Sequence, residues 1–215
     1  MAPAFRPSNS QDALLVIDMQ LDFLPGGALA VTDGDAIIPG INALAARFDH
    51  VILTQDWHPR NHISFASTHN LKPFMDTIDA PYGKQTLWPD HCIQNTQGAQ
   101  LHPDLDIPHT ELILRKGFRQ NIDSYSAFTE NDGVTPTGLT GYLRERGLTR
   151  LFFTGLAYDF CVGFSALAAA KLGFDSIVID DLTRAVGLPG TVEATNAAFT
   201  TARVQRISSS AFLTP

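Results

Sequence analysis

Cysteine is scarce in this chain of 215 residues, which holds only Cys92 and Cys161. A secreted disulfide scaffold carries more cysteines in a shorter chain. Two reduced thiols in a cytoplasmic protein are therefore the simpler expectation. Long apolar runs are missing too. Residues 13–17 form a short one, ended by Asp18, which is too brief for a signal-peptide core. No stretch approaches the ~20 apolar residues that cross a bilayer. There is no run of Lys and Arg either. Fifteen basic residues face 22 acidic ones, for a net charge of −7, so no footprint for a nucleic-acid backbone is present. No glycine fingerprint follows the first apolar segment, where Asp18-Met-Gln-Leu-Asp22 stands instead. A dinucleotide cofactor is not expected. These absences leave a soluble protein with a small-molecule partner and no nucleic-acid or membrane partner. They leave monomer and homo-oligomer equally open.

Enough apolar residues are present, 44% of the chain, for a sizeable core in one domain. Residues 1–12 lack any periodic pattern and read as a flexible tail, with a single domain over 13–215. Short apolar runs at 13–17, 50–54, 111–115, 151–154, 176–179 and 204–207 read as strands. Helical spacing begins at Asp35, with Pro39 tolerable near the first turn, and recurs at about 137–146, 162–172 and 191–203. The strands show no polar face. Alternation of such strands with helices predicts an α/β fold, a parallel sheet covered on both sides. Residues 55–110 are long, irregular and rich in His, Pro and aromatics, as functional loops are.

Ligands of open α/β sheets bind outside the carboxyl ends of the strands. The residues just past four successive strands are Asp18, then Asp56 and His58, then Lys116, then Cys161. Cys161 follows a glycine-containing turn and sits in the first turn of a helix, with Asp159 as a plausible cap. The helix dipole and unpaired N–H groups there favour thiolate and offer a place for an oxyanion. A buried structural cysteine is the competing reading of that stretch. An ammonium from Lys116 stabilises a thiolate, and Asp18 can take the thiol proton and return it to a leaving group. Such a set suits acyl transfer. Asp56-Trp-His58 places two side chains on one face of an extended segment, and His91 would close a three-ligand site with open positions. That donor set suits Zn²⁺ first, with Fe²⁺ or Mn²⁺ as alternatives. His62 and Ser64 lie close enough to support it.

The motifs together resemble the nicotinamidase branch of the isochorismatase-like cysteine hydrolases. The resemblance is carried by Val16-Ile-Asp18-Met-Gln-Leu-Asp-Phe23, Asp56-Trp-His58-Pro, Trp88-Pro-Asp-His91-Cys, Lys116-Gly, Asp123-Ser-Tyr125-Ser-Ala-Phe128 and Gly155-Leu-Ala157-Tyr-Asp-Phe-Cys161. It implies a three-layer α/β/α domain with a six-stranded parallel sheet. It implies Asp18, Lys116 and Cys161 as a catalytic triad and Asp56, His58 and His91 as metal ligands, with Ser64 as a further direct or water-mediated ligand. Phe23, Trp88, Tyr125, Leu156 and Ala157 would line the substrate pocket. The N–H groups of Ala157 and Cys161 would form the oxyanion hole, with a cis peptide between Ala157 and Tyr158. The implied reaction is hydrolysis of nicotinamide, and of pyrazinamide, through a thioester on Cys161, in the service of cofactor salvage. An amidase for another small amide or carbamoyl compound is the alternative within the superfamily. A metal-dependent hydrolase with a structural Cys161 is the alternative outside it.

Overall fold

The computed structural model describes residues 6–8 and 10–212. Residues 1–5 and 9 of the expected tail lie outside the described residues. Asp12, placed in that tail, is instead the first residue of a buried strand, and its carboxylate takes two hydrogen bonds from Arg150.

The strands are β1 (Asp12–Ile17), β2 (Val51–Asp56), β3 (Thr77–Ala80), β4 (Gly83–Thr86), β5 (Leu112–Lys116), β6 (Arg150–Leu156), β7 (Asp175–Arg184) and β8 (Gln205–Ile207). The helices are α1 (Ile38–Ala45), α2 (Ala66–His69), α3 (Leu139–Glu145), α4 (Gly163–Lys171) and α5 (Thr191–Ala202). Six strands form one sheet in the order β5-β2-β1-β6-β7-β8, and all their pairings are parallel. Alternation along β1 divides the core. Leu14 and Val16 pack with Ile38, Ile41 and Leu44 of α1 on one face. Ala13, Leu15 and Ile17 pack with residues of α3, α4 and α5 on the other. Three layers result, as expected for parallel strands buried on both faces.

The chain runs outward from β1 through β2 to β5, then returns to the opposite side of β1 with β6. The order reverses there, and a crevice opens at the carboxyl ends of β1 and β6. Asp18 follows β1, and the Cys161 turn follows β6. On the neighbouring strands, Asp56 and Lys116 are direct register partners at the ends of β2 and β5.

Several local expectations give way. β6 does not stop before a glycine turn but continues to Leu156, with Gly155 inside it at φ +99°. A Cβ there would meet the Ile17 carbonyl oxygen at 2.1 Å, so only glycine lets the two backbones approach. β7 does not end at Asp180. Its register jumps, with Phe153 opposite Val178 and Gly155 opposite Thr183, and the intervening residues bulge out. Asp180 then pairs with Arg206, and Asp181 bonds Ser209. β5 does show an exposed face, since it is an edge strand and Ile113 is 48% exposed. Within the supposedly structureless 55–110 lie α2 and an antiparallel β3–β4 hairpin. The hairpin is mostly polar and half-exposed, so it carries no apolar run to reveal it. Among the described residues, no helix is long and apolar enough to cross a membrane.

Candidate active site and metal centre

The nucleophile turn is wound more loosely than an α-helix. Residues Tyr158–Val162 form a π-type turn, and α4 proper begins at Gly163. Asp159 does not cap it. Its buried carboxylate accepts from the N–H groups of Val186 and Gly187 and from the Thr191 hydroxyl, tying the β7–α5 loop to the turn. The cis peptide lies between Leu156 and Ala157, one bond before the expected place. The Ala157 carbonyl accepts from Phe160 and Val162 and so opens the helical turn. The bond after Ala157 belongs to that turn. Leu156 is fully buried in the core with its side chain beside Gly34, and does not line the cavity.

Lys116 is fully buried and holds the centre together. Its Nζ lies 2.5 Å from Asp56 Oδ1, 2.8 Å from Asp18 Oδ2, 3.0 Å from the Ser124 carbonyl and 3.3 Å from Cys161 Sγ. Burial disfavours its charge, but Asp18 and Asp56 override that and hold the ammonium well above the usual lysine range. Burial also raises the Asp18 carboxyl, and Asp56 adds to it, while Lys116 pulls the other way without prevailing. Thr54 Oγ1 donates to Asp18 Oδ1 at 2.5 Å. Oδ2 lies 2.8 Å from the Lys116 ammonium and faces the Cys161 thiol, so the carboxylate that meets the cation also lies where it can take the thiol proton.

The helix end and Lys116 favour thiolate, as expected, but they do not prevail. Burial pushes the Cys161 thiol well up, Lys116 offsets part of this, and Asp18 and Asp56 add to the rise. Two carboxylates and a dry site outweigh one ammonium and a helix end. The proton is on sulfur at rest, next to the acceptor that can remove it.

Asp56 belongs to both halves of the site. Burial disfavours its charge, but Lys116 and then His58 hold it well below the usual carboxylate range. Its Oδ2 lies 3.5 Å from His58 Nε2 and 3.8 Å from His91 Nε2, and one donor atom from each residue fits within a 4.8 Å cluster. The donor atoms are free to bind an ion. His58 Nδ1 bonds the Gly117 carbonyl at 2.9 Å, and His91 Nδ1 bonds the Pro89 carbonyl at 2.7 Å. A carbonyl can only accept, so each ring donates from Nδ1 and turns Nε2 toward the cluster. Burial works against a charged His58, yet Asp56 overrides it, so the cluster draws positive charge. The residues fit a divalent cation.

Backbone pairing sets this geometry. The His58 N–H donates to the Cys92 carbonyl, and the Gln94 N–H donates to the His58 carbonyl. That short parallel bridge brings His91 to His58. Gln20 clamps the Asp56 peptide from both sides, at 2.8 Å each, and Asp22 Oδ2 accepts from the Cys92 N–H at 2.7 Å. Ser64 gives its proton to His62 Nδ1 at 2.7 Å, and His62 is held neutral, its pKa lowered to about 4 by burial and by His58. Ser64 therefore supports the cluster through His62.

Gly117 stands at φ +63°, and a Cβ on it would meet His58 Cε1 at 2.5 Å and Nδ1 at 2.7 Å. Gly117→Ala is expected to displace the imidazole and weaken metal binding by about 10- to 100-fold, read by metal titration of the chelated protein. Unchanged affinity would mean that His58 is not held by this contact.

The cavity and its solvent-open mouth together span about 350 Å³ not filled by atoms. Expected Phe23, Trp88, Tyr125, Ala157 and Cys161 line it, with Asp56, His58 and His91. Leu29, Asp123, Phe160 and Val186 line it as well. Asp123 and Phe160 stand inside motifs visible in the sequence, as does Leu29 within Pro25-Gly-Gly-Ala-Leu29-Ala-Val31, whereas nothing local marks Val186. Aromatic edges form the wall. Trp88 meets Phe160 edge-on at 4.8 Å and Tyr125 meets Phe160 at 5.5 Å, while Phe23 leans on His91 at 5.4 Å. Trp57 stands apart, half-buried under the Arg115 guanidinium at 3.7 Å.

A family model described as the isochorismatase domain matches residues 12–210. The chain belongs to the isochorismatase family. Among curated relatives, the nicotinamidase of Acinetobacter baylyi is 54% identical over 197 residues, covering 92% of each chain. Among solved structures, an Acinetobacter baumanii nicotinamidase and pyrazinamidase superposes with a TM-score of 0.93 at 52% identity, over 95% of this chain and 99% of that one. A pyrazinamidase of Pyrococcus horikoshii, solved in complex with zinc, gives a TM-score of 0.76 at 32% identity, over 92% of this chain and 99% of that one. All three cover nearly the whole isochorismatase-like fold, with its six-stranded parallel sheet.

Proposed function

We propose that this member of the isochorismatase family is a nicotinamidase, a cysteine amidohydrolase that converts nicotinamide to nicotinate and ammonia and also takes pyrazinamide. The observation that carries this reading is the position of Lys116. One ammonium touches the carboxylate of the candidate ion site, the proton acceptor and the thiol, and Asp56 and Cys161 line one aromatic-walled cavity. The high identity to nicotinamidases supports it.

The steps follow from the groups in place. Cys161 gives its proton to Asp18 Oδ2 and attacks the carboxamide carbon, while Lys116 steadies the charge. The N–H groups of Ala157 and Cys161, at the mouth of the turn, hold the oxyanion. Asp18 returns the proton to the departing nitrogen, and ammonia leaves a thioester. Asp18 then takes a proton from water, whose oxygen attacks the thioester carbon; the C–S bond breaks, sulfur takes that proton back from Asp18, and the product leaves as nicotinate after releasing its own proton to solvent. Phe23, Trp88 and Tyr125 pack on the ring. A divalent cation, zinc by the donor set and by the likeness to a zinc-bound relative, supplies a Lewis-acidic anchor for the ring nitrogen when held by Asp56, His58 and His91. Two unbridged thiols suit a reducing compartment, so we place the protein in the cytoplasm, where its product would feed cofactor salvage.

Titration with iodoacetamide tests the role of the thiol. Activity is expected to vanish with one equivalent bound at Cys161, and substrate analogues are expected to slow the loss. Full activity after Cys161 is alkylated would hand the reaction to the metal centre.

A further inference from the structure

The β3–β4 hairpin packs one polar side chain inward. Its residues are exposed or half-buried except Gln85, which is 1% exposed. Buried amides persist where their hydrogen bonds are made, and this one makes all of them. Gln85 Nε2 lies 2.8 Å from the Thr86 carbonyl, 2.9 Å from Asp123 Oδ2 and 2.9 Å from the Tyr125 hydroxyl. Its Oε1 accepts from Tyr82 at 3.0 Å and from Asn131 at 3.3 Å. Asp123 and Tyr125 both line the catalytic cavity, and neither belongs to the triad. The Tyr125 hydroxyl also accepts from Trp88 Nε1 at 3.0 Å, so it is gripped from two sides. Trp88 is a cavity wall as well.

We propose that Gln85 is a positioning residue for substrate binding, fixing Tyr125 and Asp123 so that the aromatic wall holds the substrate ring in register with Cys161. This rests on the nicotinamidase reading. The acceptor follows β1, the thiol stands in the turn after β6 and the ammonium ends β5. None of them bonds a hairpin residue, and the link toward the wall is the Ser124 carbonyl, between Asp123 and Tyr125, which accepts from Lys116 Nζ. The wall touches the ring in the ground state and the transition state alike, so loosening it weakens binding more than the chemical step. The amide acts through the Tyr125 hydroxyl, so its effect depends on that hydroxyl being present.

The test uses metal-replete wild type, Gln85→Leu, Tyr125→Phe and the double variant, with nicotinamide as substrate and iodoacetamide as thiol probe. Gln85→Leu is expected to raise KM about tenfold, with kcat within about threefold of wild type and an unchanged alkylation rate at Cys161. In the Tyr125→Phe background most of that KM effect is expected to disappear. An unchanged KM, a loss of kcat and of thiol reactivity together, or strictly additive effects would each overturn the proposal. Should Gln85→Leu fail to fold, Tyr125→Phe decides alone: a KM raised about fivefold supports the grip on the hydroxyl, and an unchanged KM removes it. Wild type that ignores nicotinamide would sink the functional reading and this proposal with it. Normal wild-type turnover with unaltered variants sinks this proposal only.

Discussion

Cys161→Ala is expected to lower kcat/KM for nicotinamide by about 10⁴-fold or more while leaving metal content and nicotinate binding close to wild type. The size follows from what disappears. Without sulfur there is no thioester, and the remaining groups offer only orientation and an oxyanion site. The separation of chemistry from binding follows from the geometry. Asp56, His58 and His91 form their own cluster, and Cys161 is not needed to complete it. Steady-state kinetics with metal analysis and product titration check all three parts. Activity retained at a tenth of wild type would contradict the nucleophile assignment.

Lys116→Met is expected to abolish turnover and also to destabilise the fold by about 3–5 kcal/mol at neutral pH, because it strands buried carboxylates without their cation. In the native protein that ammonium contacts Asp18 and Asp56 at 2.8 and 2.5 Å, and all three are buried. The pH dependence has a definite sign. Without the cation, both carboxyls would have folded pKa values above their unfolded ones. Groups of that kind favour the folded state below the unfolded pKa and lose that contribution as pH rises through the folded pKa. The deficit against wild type should therefore be largest at neutral pH and shrink as pH falls toward about 4. Denaturant melts of the chelated proteins across this range are the measurement. A deficit that is constant with pH would mean that the lysine contributes packing and not charge.

Much of this is legible in the sequence. A buried parallel strand announces itself as a short apolar run, and the reactive residues sit at the ends of three of them and in the turn after a fourth. Asp18, Asp56, Lys116 and Cys161 could be read off because strand ends in such sheets converge on one crevice. Less visible was anything that depends on backbone detail or on distant partners. The β3–β4 hairpin has a polar, half-exposed sequence, so Gln85 carried no local signal for its burial. Asp159 reads as a helix cap by position, yet the chain returns at Val186 and Gly187 to claim its carboxylate. Gly155 reads as a turn, yet close approach to Ile17 keeps it in the strand. The thiol reads as activated from the helix end alone, while the balance of burial and two carboxylates, a tertiary property, keeps it protonated.

The most direct test is ammonia release from nicotinamide and from benzamide, each with metal-replete and with chelator-treated protein. Benzamide keeps the amide and loses only the ring nitrogen. The account predicts fast turnover of nicotinamide that collapses on chelation and returns with zinc, and little turnover of benzamide under either condition. Equal turnover of both amides, indifferent to chelation, would contradict the union of ion site, aromatic wall and thiol in one active site.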